Sequence, residues 1–102
     1  MLDHAREAML LSRGRTRADL DADRLLNLSL VRLLEVVGEA ATRIPYEVQA
    51  AHPEIPWPQI IGLRNRLIHG YGSIDFDIVW RIVTEDLPQL VAALEKIIEE
   101  QE

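Results

Sequence analysis

The chain has 102 residues, 48% of them hydrophobic and 5% aromatic, no cysteine, and a formal net charge of −6. Such a length fits one domain, 1–102, built on a single core, while the lack of cysteine excludes disulfides and thiolate metal sites. No apolar run reaches the roughly 20 residues of a membrane span, and the N-terminus carries both charge signs where a signal peptide has a basic start and an apolar centre, so a cytoplasmic protein is expected.

In chain order, a first helix is predicted over Leu2 to Ser12, ended near Gly14. A long helix follows over Asp21 to Arg43, with Leu26, Leu30, Leu33, Val37 and Ala41 at three- and four-residue spacing and Pro45 just beyond it. Leu25, Leu28, Leu34 and Val36 widen that stripe, so the helix calls for a core on one side and a partner subunit on the other. Tyr46 to Ala51 reads as a short helical turn. His52 to Pro58 reads as a rigid connector, with Pro58 suited to the first turn of a helix that carries Arg64 to His69. Gly70 to Ser73 is a loop, and Ser73 or Asp75 can cap a last helical region. There Phe76, Val79, Trp80 and Val83 start a stripe that Leu87, Leu90, Val91, Leu94, Ile97 and Ile98 continue, with Pro88 expected to kink it near Thr84 to Leu87. With no alternation at period two, no repeat and no low-complexity linker, the expected fold is all-α, an up-and-down bundle of four to five helices.

An acidic chain argues against a nucleic-acid partner unless its charge is unevenly placed. Here residues 1 to 74 hold nine acids and nine bases, and the whole excess lies in 75 to 102, with eight acids and two bases. Between Pro56 and Ile74 there is no carboxylate, yet Arg64, Arg66 and His69 are present. This stretch can form a locally positive site, which two-fold symmetry would double.

Wound as a helix with Ile60 at zero, the segment places Trp57, Ile60, Ile61, Leu63, Leu67 and Ile68 in one apolar sector, with Arg64 inside it at about 40°. Asn65 and His69 stack at about 140° and 180°, with Arg66 nearby. An Arg within an apolar stripe must snorkel, pair or sit at an interface, because a buried unpaired charge is very costly. His69 can act as acid or base near neutral pH, and a place in the last helical turn before Gly70 would favour its imidazolium. The plainer readings are that His69 closes the helix end and that Arg64 pairs with Glu35 or Glu39 across a subunit interface. Asn65 either orients the imidazole or is a solvent-facing amide; Arg66 steers phosphate or lies on the surface. Arg64 and His69 are about 140° apart on one helix, so both subunits are expected to contribute to one site.

Other patterns fit simpler roles. Asp19 to Asp23 imitates a calcium loop, but its sixth position is Arg24 and its twelfth Leu30, so capping and solvation account for it. Gly70-Tyr71-Gly72 lacks the third glycine and the preceding strand of a dinucleotide fingerprint. Asn27-Leu28-Ser29 matches a glycosylation acceptor but falls within a helix. His4, His52 and His69 lack metal-ligand spacing, and Trp57 and Trp80 read as core anchors.

The segment Arg64-Asn65-Arg66-Leu67-Ile68-His69-Gly70-Tyr71 contains Arg-x4-His-x-Tyr with a polar residue after the first Arg. Together with Leu34-Glu35-Val36-Val37-Gly38-Glu39-Ala40-Ala41, His52 to Trp57 and Ile74 to Trp80, in that order, it resembles the HepT-like toxins of the HEPN superfamily over roughly residues 20 to 100. The resemblance implies a homodimeric HEPN-like bundle whose two motifs line a metal-independent ribonuclease site in a cleft at the two-fold axis. It implies Arg64 and His69 as catalytic residues, Asn65 in support through the imidazole or a ribose, Arg66 in support, RNA as substrate, and no cofactor or metal. It also implies a small nucleotidyltransferase antitoxin that transfers AMP to Tyr71 and silences the toxin. The alternatives are a silent HEPN module that binds nucleotide or nucleic acid or partners the transferase, and a helical scaffold without a ligand.

Overall fold

The computed structural model describes residues 1–69 and 73–101, with backbone alone for 68, 69 and 101. Its helices are α1 (Leu2–Ser12), α2 (Arg17–Ala22), α3 (Arg24–Thr42), α4 (Tyr46–Ala51), α5 (Trp57–Ile61), α6 (Leu63–Leu67), α7 (Phe76–Arg81) and α8 (Leu87–Gln101), with a π-helical turn at Ile82–Asp86 between the last two. Strands β1 (Ile68–His69) and β2 (Ser73–Ile74) form a minimal antiparallel pair. Four helical bodies make the bundle: α1, α3, α5 with α6, and α7 running through the π turn into α8. α1 packs on α3 and α8, and α3 also packs on α2, α5 and α6. This is the all-α architecture expected of the sequence.

The core is aliphatic. Leu30, Leu34 and Val37 of α3 share one core cluster with Ile60, Leu63 and Leu67 of α5 and α6 and with Ile82, Leu87 and Leu90 of the last body, all essentially inaccessible. Trp57 is buried and its indole N–H donates to the His52 carbonyl at 3.0 Å, so the anchor role expected of it holds.

Several element boundaries differ from the sequence reading. The helix expected from Asp21 starts at Arg24, because Asp23 takes extended dihedrals and its Oδ1 accepts the Leu26 N–H at 3.0 Å, capping a new helix. Before it lies α2, not expected at all. The Asp19 carboxylate accepts the Thr16 N–H at 2.7 Å, and Leu20 is fully buried. Thus Asp19 and Asp23 do cap, as the sequence suggested for the aspartate cluster. Of the residues that widen the α3 stripe, Leu34 is buried and Val36 half-buried, but Leu25 and Leu28 remain 76% and 50% exposed.

The kink expected at Pro88 takes the form of the π turn. Pro88 has no N–H for the Thr84 carbonyl, and in a continuous α-helix its ring would crowd that carbonyl. The wider turn relieves this, with the Leu87 N–H reaching back five residues to the Ile82 carbonyl. Pro88 then sits in the first turn of α8.

Candidate functional site

α5 and α6 are one helical path bent at Gly62, and that path crosses α3 at Gly38. A Cβ on Gly38 would lie 3.1 Å from the Ile60 carbonyl oxygen and 3.2 Å from the Leu63 Cβ, so any larger residue would push the two paths apart by a few tenths of an ångström. Beside the crossing opens a cleft of about 460 Å³, lined by Arg32, Glu35, Gly38, Glu39 and Thr42 of α3 and by Ile61 and Arg64 from the other wall. The α3 residues recur at three- and four-residue spacing and so form one helical face.

Arg64 therefore projects from the edge of the buried ridge, not from its centre. Leu63 and Leu67 are buried while Arg64 is exposed, and the stripe's expected cation is turned into the cleft. Among the described residues no carboxylate stands within ion-pair distance of Arg64. The two carboxylates on the opposite wall engage nearby arginines, Glu35 with Arg32 of α3 at 3.8 Å and Glu39 with Arg43, just past the end of α3, at 3.2 Å. Exposed pairs of this kind contribute little to stability, but they offset acidic charge facing Arg64. A guanidinium with free donors on a cleft wall is suited to an oxyanion.

The other motif residues are distributed as follows. Asn65 is exposed on α6. Arg66 does not face solvent freely: its Nη2 donates to Asp86 Oδ2 of the π turn at 2.9 Å, and both side chains are about two-thirds buried. The backbone of His69 lies in β1, two residues past the end of α6 and paired with Ser73, while Ile68 pairs with Ile74. The expected place in a last helical turn is thus corrected: the chain leaves the helix at Leu67, whose carbonyl accepts the Asp75 N–H at 2.9 Å. The helix-dipole argument for the imidazolium lapses with it, as does the angle of about 140° drawn on a continuous helix. Tyr71 and the loop expected around it lie outside the described residues, except Ser73, which is in β2.

Sequence reasoning did not single out Asp86 or the steric role of Gly38. No spacing rule connects Arg66 to a carboxylate 20 residues on, although Pro88 marks the turn that carries it. A glycine inside a strong helical stripe was the available signal for Gly38.

The family profile described as "Ribonuclease HepT-like" matches residues 1–97. Among curated proteins the chain is similar to "Probable ribonuclease HepT" of Thermococcus cleftensis, 38% identical over 79 residues that cover 78% of this chain and 72% of that protein. A protein of Caldanaerobacter subterraneus described as "Putative RNase" is 32% identical over 87% of this chain and 80% of its own length. One of Methanocaldococcus jannaschii with the same description is 37% identical over 72% of this chain and 67% of its own. No solved structure matches the chain.

Proposed function

This chain belongs to the HepT-like ribonuclease family, and on that premise we propose that it is a metal-independent endoribonuclease toxin whose site combines Arg64 and His69 from two subunits. The observation that carries this reading is Arg64, an exposed guanidinium without a carboxylate partner among the described residues, on the wall of the cleft beside the Gly38 crossing and five residues before a histidine.

In the proposed reaction the 2′-oxygen of a ribose bonds to the adjacent phosphorus as a neutral imidazole takes its proton. The bond from phosphorus to the 5′-oxygen breaks, and an imidazolium gives that oxygen a proton. The products are a 2′,3′-cyclic phosphate and a 5′-hydroxyl. Two copies of His69 related by a two-fold axis supply the two roles, and Arg64 binds the phosphate and stabilises charge on the phosphorane oxygens. Asn65, exposed on α6, contacts ribose near them.

Regulation follows the family pattern. A nucleotidyltransferase antitoxin joins the Tyr71 hydroxyl oxygen to the α-phosphorus of ATP, pyrophosphate leaves and the phenolic proton passes to solvent. The added anion then lies two residues from His69.

Purified protein is expected to cut RNA in EDTA and leave 2′,3′-cyclic ends, with His69→Ala and Arg64→Ala both losing activity by at least about a hundredfold while keeping the wild-type oligomeric state. RNA left intact by wild type, or cut equally by His69→Ala, would sink the enzyme reading in favour of a binding module. Intact mass after incubation with the cognate transferase and ATP is expected to rise by AMP units, and Tyr71→Phe to abolish the rise. An undiminished rise in that variant would remove Tyr71 from the scheme.

A further inference from the structure

α6 has only five residues, far too few to hold a helix by itself. Its backbone is held at Gly62, where the path from α5 bends, and at the Leu67 carbonyl, which accepts the Asp75 N–H, so its roll between these two points depends on what its side chains grip. Taking Leu63 as zero, Leu67 lies at about 40°, Arg64 at about 100° and Arg66 at about −60°. The helix thus rests on a ridge of two buried leucines, with Arg64 on one flank and Arg66 on the other, each about 80° from the ridge centre. Any roll of α6 about that ridge moves both arginines together. The cleft side offers Arg64 no described partner to resist such a roll. The opposite flank does, through the 2.9 Å bond from Arg66 to Asp86.

We propose that Asp86 is a positioning residue for the Arg64 to His69 segment, acting through Arg66, and that Arg66 does not itself hold RNA. This rests on the ribonuclease reading above. Asp86 ends the π turn, so the residue that fixes the motif helix is itself placed by the irregularity that Pro88 imposes. π turns within α-helices often occur at functional sites, where the extra residue re-aims a side chain. The pair also closes the chain across the segment between α6 and the last helical body, bracketing the paired strands β1 and β2, the first of which holds the backbone of His69. The Nη2 of Arg66 is already committed to a carboxylate and its side chain is about two-thirds buried, so Arg66 offers a phosphate fewer donors than the exposed, unpaired guanidinium of Arg64.

RNA cleavage by wild type, Arg66→Ala, Asp86→Asn and the double variant, followed over a range of salt, separates a tether from a phosphate contact. The tether predicts that both single variants lower kcat by a similar factor, about ten- to a hundredfold. It also predicts that KM and its salt dependence stay near wild type and that the double variant is no worse than either single one. Asp86→Glu should restore part of kcat. A phosphate contact predicts instead that Arg66→Ala raises KM and flattens the salt slope by about one while Asp86→Asn, with Arg66 released, binds as tightly as wild type or more so; that pattern overturns the proposal. Should Asp86→Asn fail to fold, Arg66→Lys, which keeps the charge without the fork, takes its place in the same comparison. If wild type does not cut RNA, the ribonuclease reading fails by itself. Amide hydrogen exchange over residues 63–67 then decides the tether, with faster exchange in both single variants expected and unchanged exchange overturning it.

Discussion

Gly38 shows how much one missing methyl decides. Two opposed effects bear on Gly38→Ala. Alanine is the better helix former by roughly 0.5–1 kcal/mol, but its Cβ would meet a backbone carbonyl and a core side chain at 3.1 and 3.2 Å. Neither neighbour is the free end of a flexible side chain, so α5 and α6 must move, and overpacking of this sort costs about 1–3 kcal/mol. The expected net result is destabilisation, read as a lower denaturant midpoint with an unchanged slope. A shift of α6 away from α3 would also carry Arg64 with it. A midpoint raised by the substitution would show that the crossing is looser than these distances say. Asn27 is the other single residue on which an element depends. It is 4% exposed, and its amide donates to the Leu20 carbonyl at 2.8 Å, fastening α2 to α3. Its match to a glycosylation acceptor therefore has a structural explanation, since the amide is buried and engaged.

At the scale of elements, the sequence was legible where hydrophobic period and local chemistry agreed. α1 and α4 occupy the spans expected of them, and Gly14, with φ of 75°, lies just past the end of α1 as predicted. Pro88 announced a break near Thr84 to Leu87 and the π turn is there, because a missing N–H is a local fact that packing cannot override. Misreadings arose where one stripe ran through a local signal. Periodicity joined Asp21 to α3, although Thr16 and Asp19 form a capping pair and Asp23 a cap, and these local groups set the boundaries. Likewise the wheel carried the motif helix on to His69, whereas the chain turns out after Leu67 to pair with β2. Two paired residues are too few to show an alternating pattern, so no reading of period could have found that ladder. The cleft depended on both kinds of information. Arg64 was visible as a misplaced cation, and Glu35 and Glu39 as its candidate neighbours. That all three line one cleft within a single chain depends on where Gly38 lets two helices cross.

At the scale of the molecule, the acidic total and the cationic motif become compatible if two copies bring their clefts together, and α3 has the surface for it. Leu25 and Leu28 are exposed, and Arg32, Glu35 and Glu39 follow them at three- and four-residue spacing, so the unpartnered leucines are continuous with the α3 wall of the cleft. A second copy laid on this face about a two-fold axis would cover the leucines and place the partner's cleft beside this one. Leu25→Glu with Leu28→Glu puts two carboxylates at the centre of that contact, yet both positions are exposed in the single chain, so the fold should persist with thermal stability near that of the isolated subunit. The expected outcome is a monomer by light scattering, with helical circular dichroism retained and RNA cleavage reduced in step with the monomer fraction. A Leu25→Ala, Leu28→Ala variant should lie between, because it removes apolar area without adding charge, and raising its concentration should recover both dimer and activity together. A monomeric double-Glu variant that cuts RNA at the wild-type rate would refute the composite site and leave Arg64 and His69 of one chain to do the chemistry. A variant that stays dimeric would move the interface to another face.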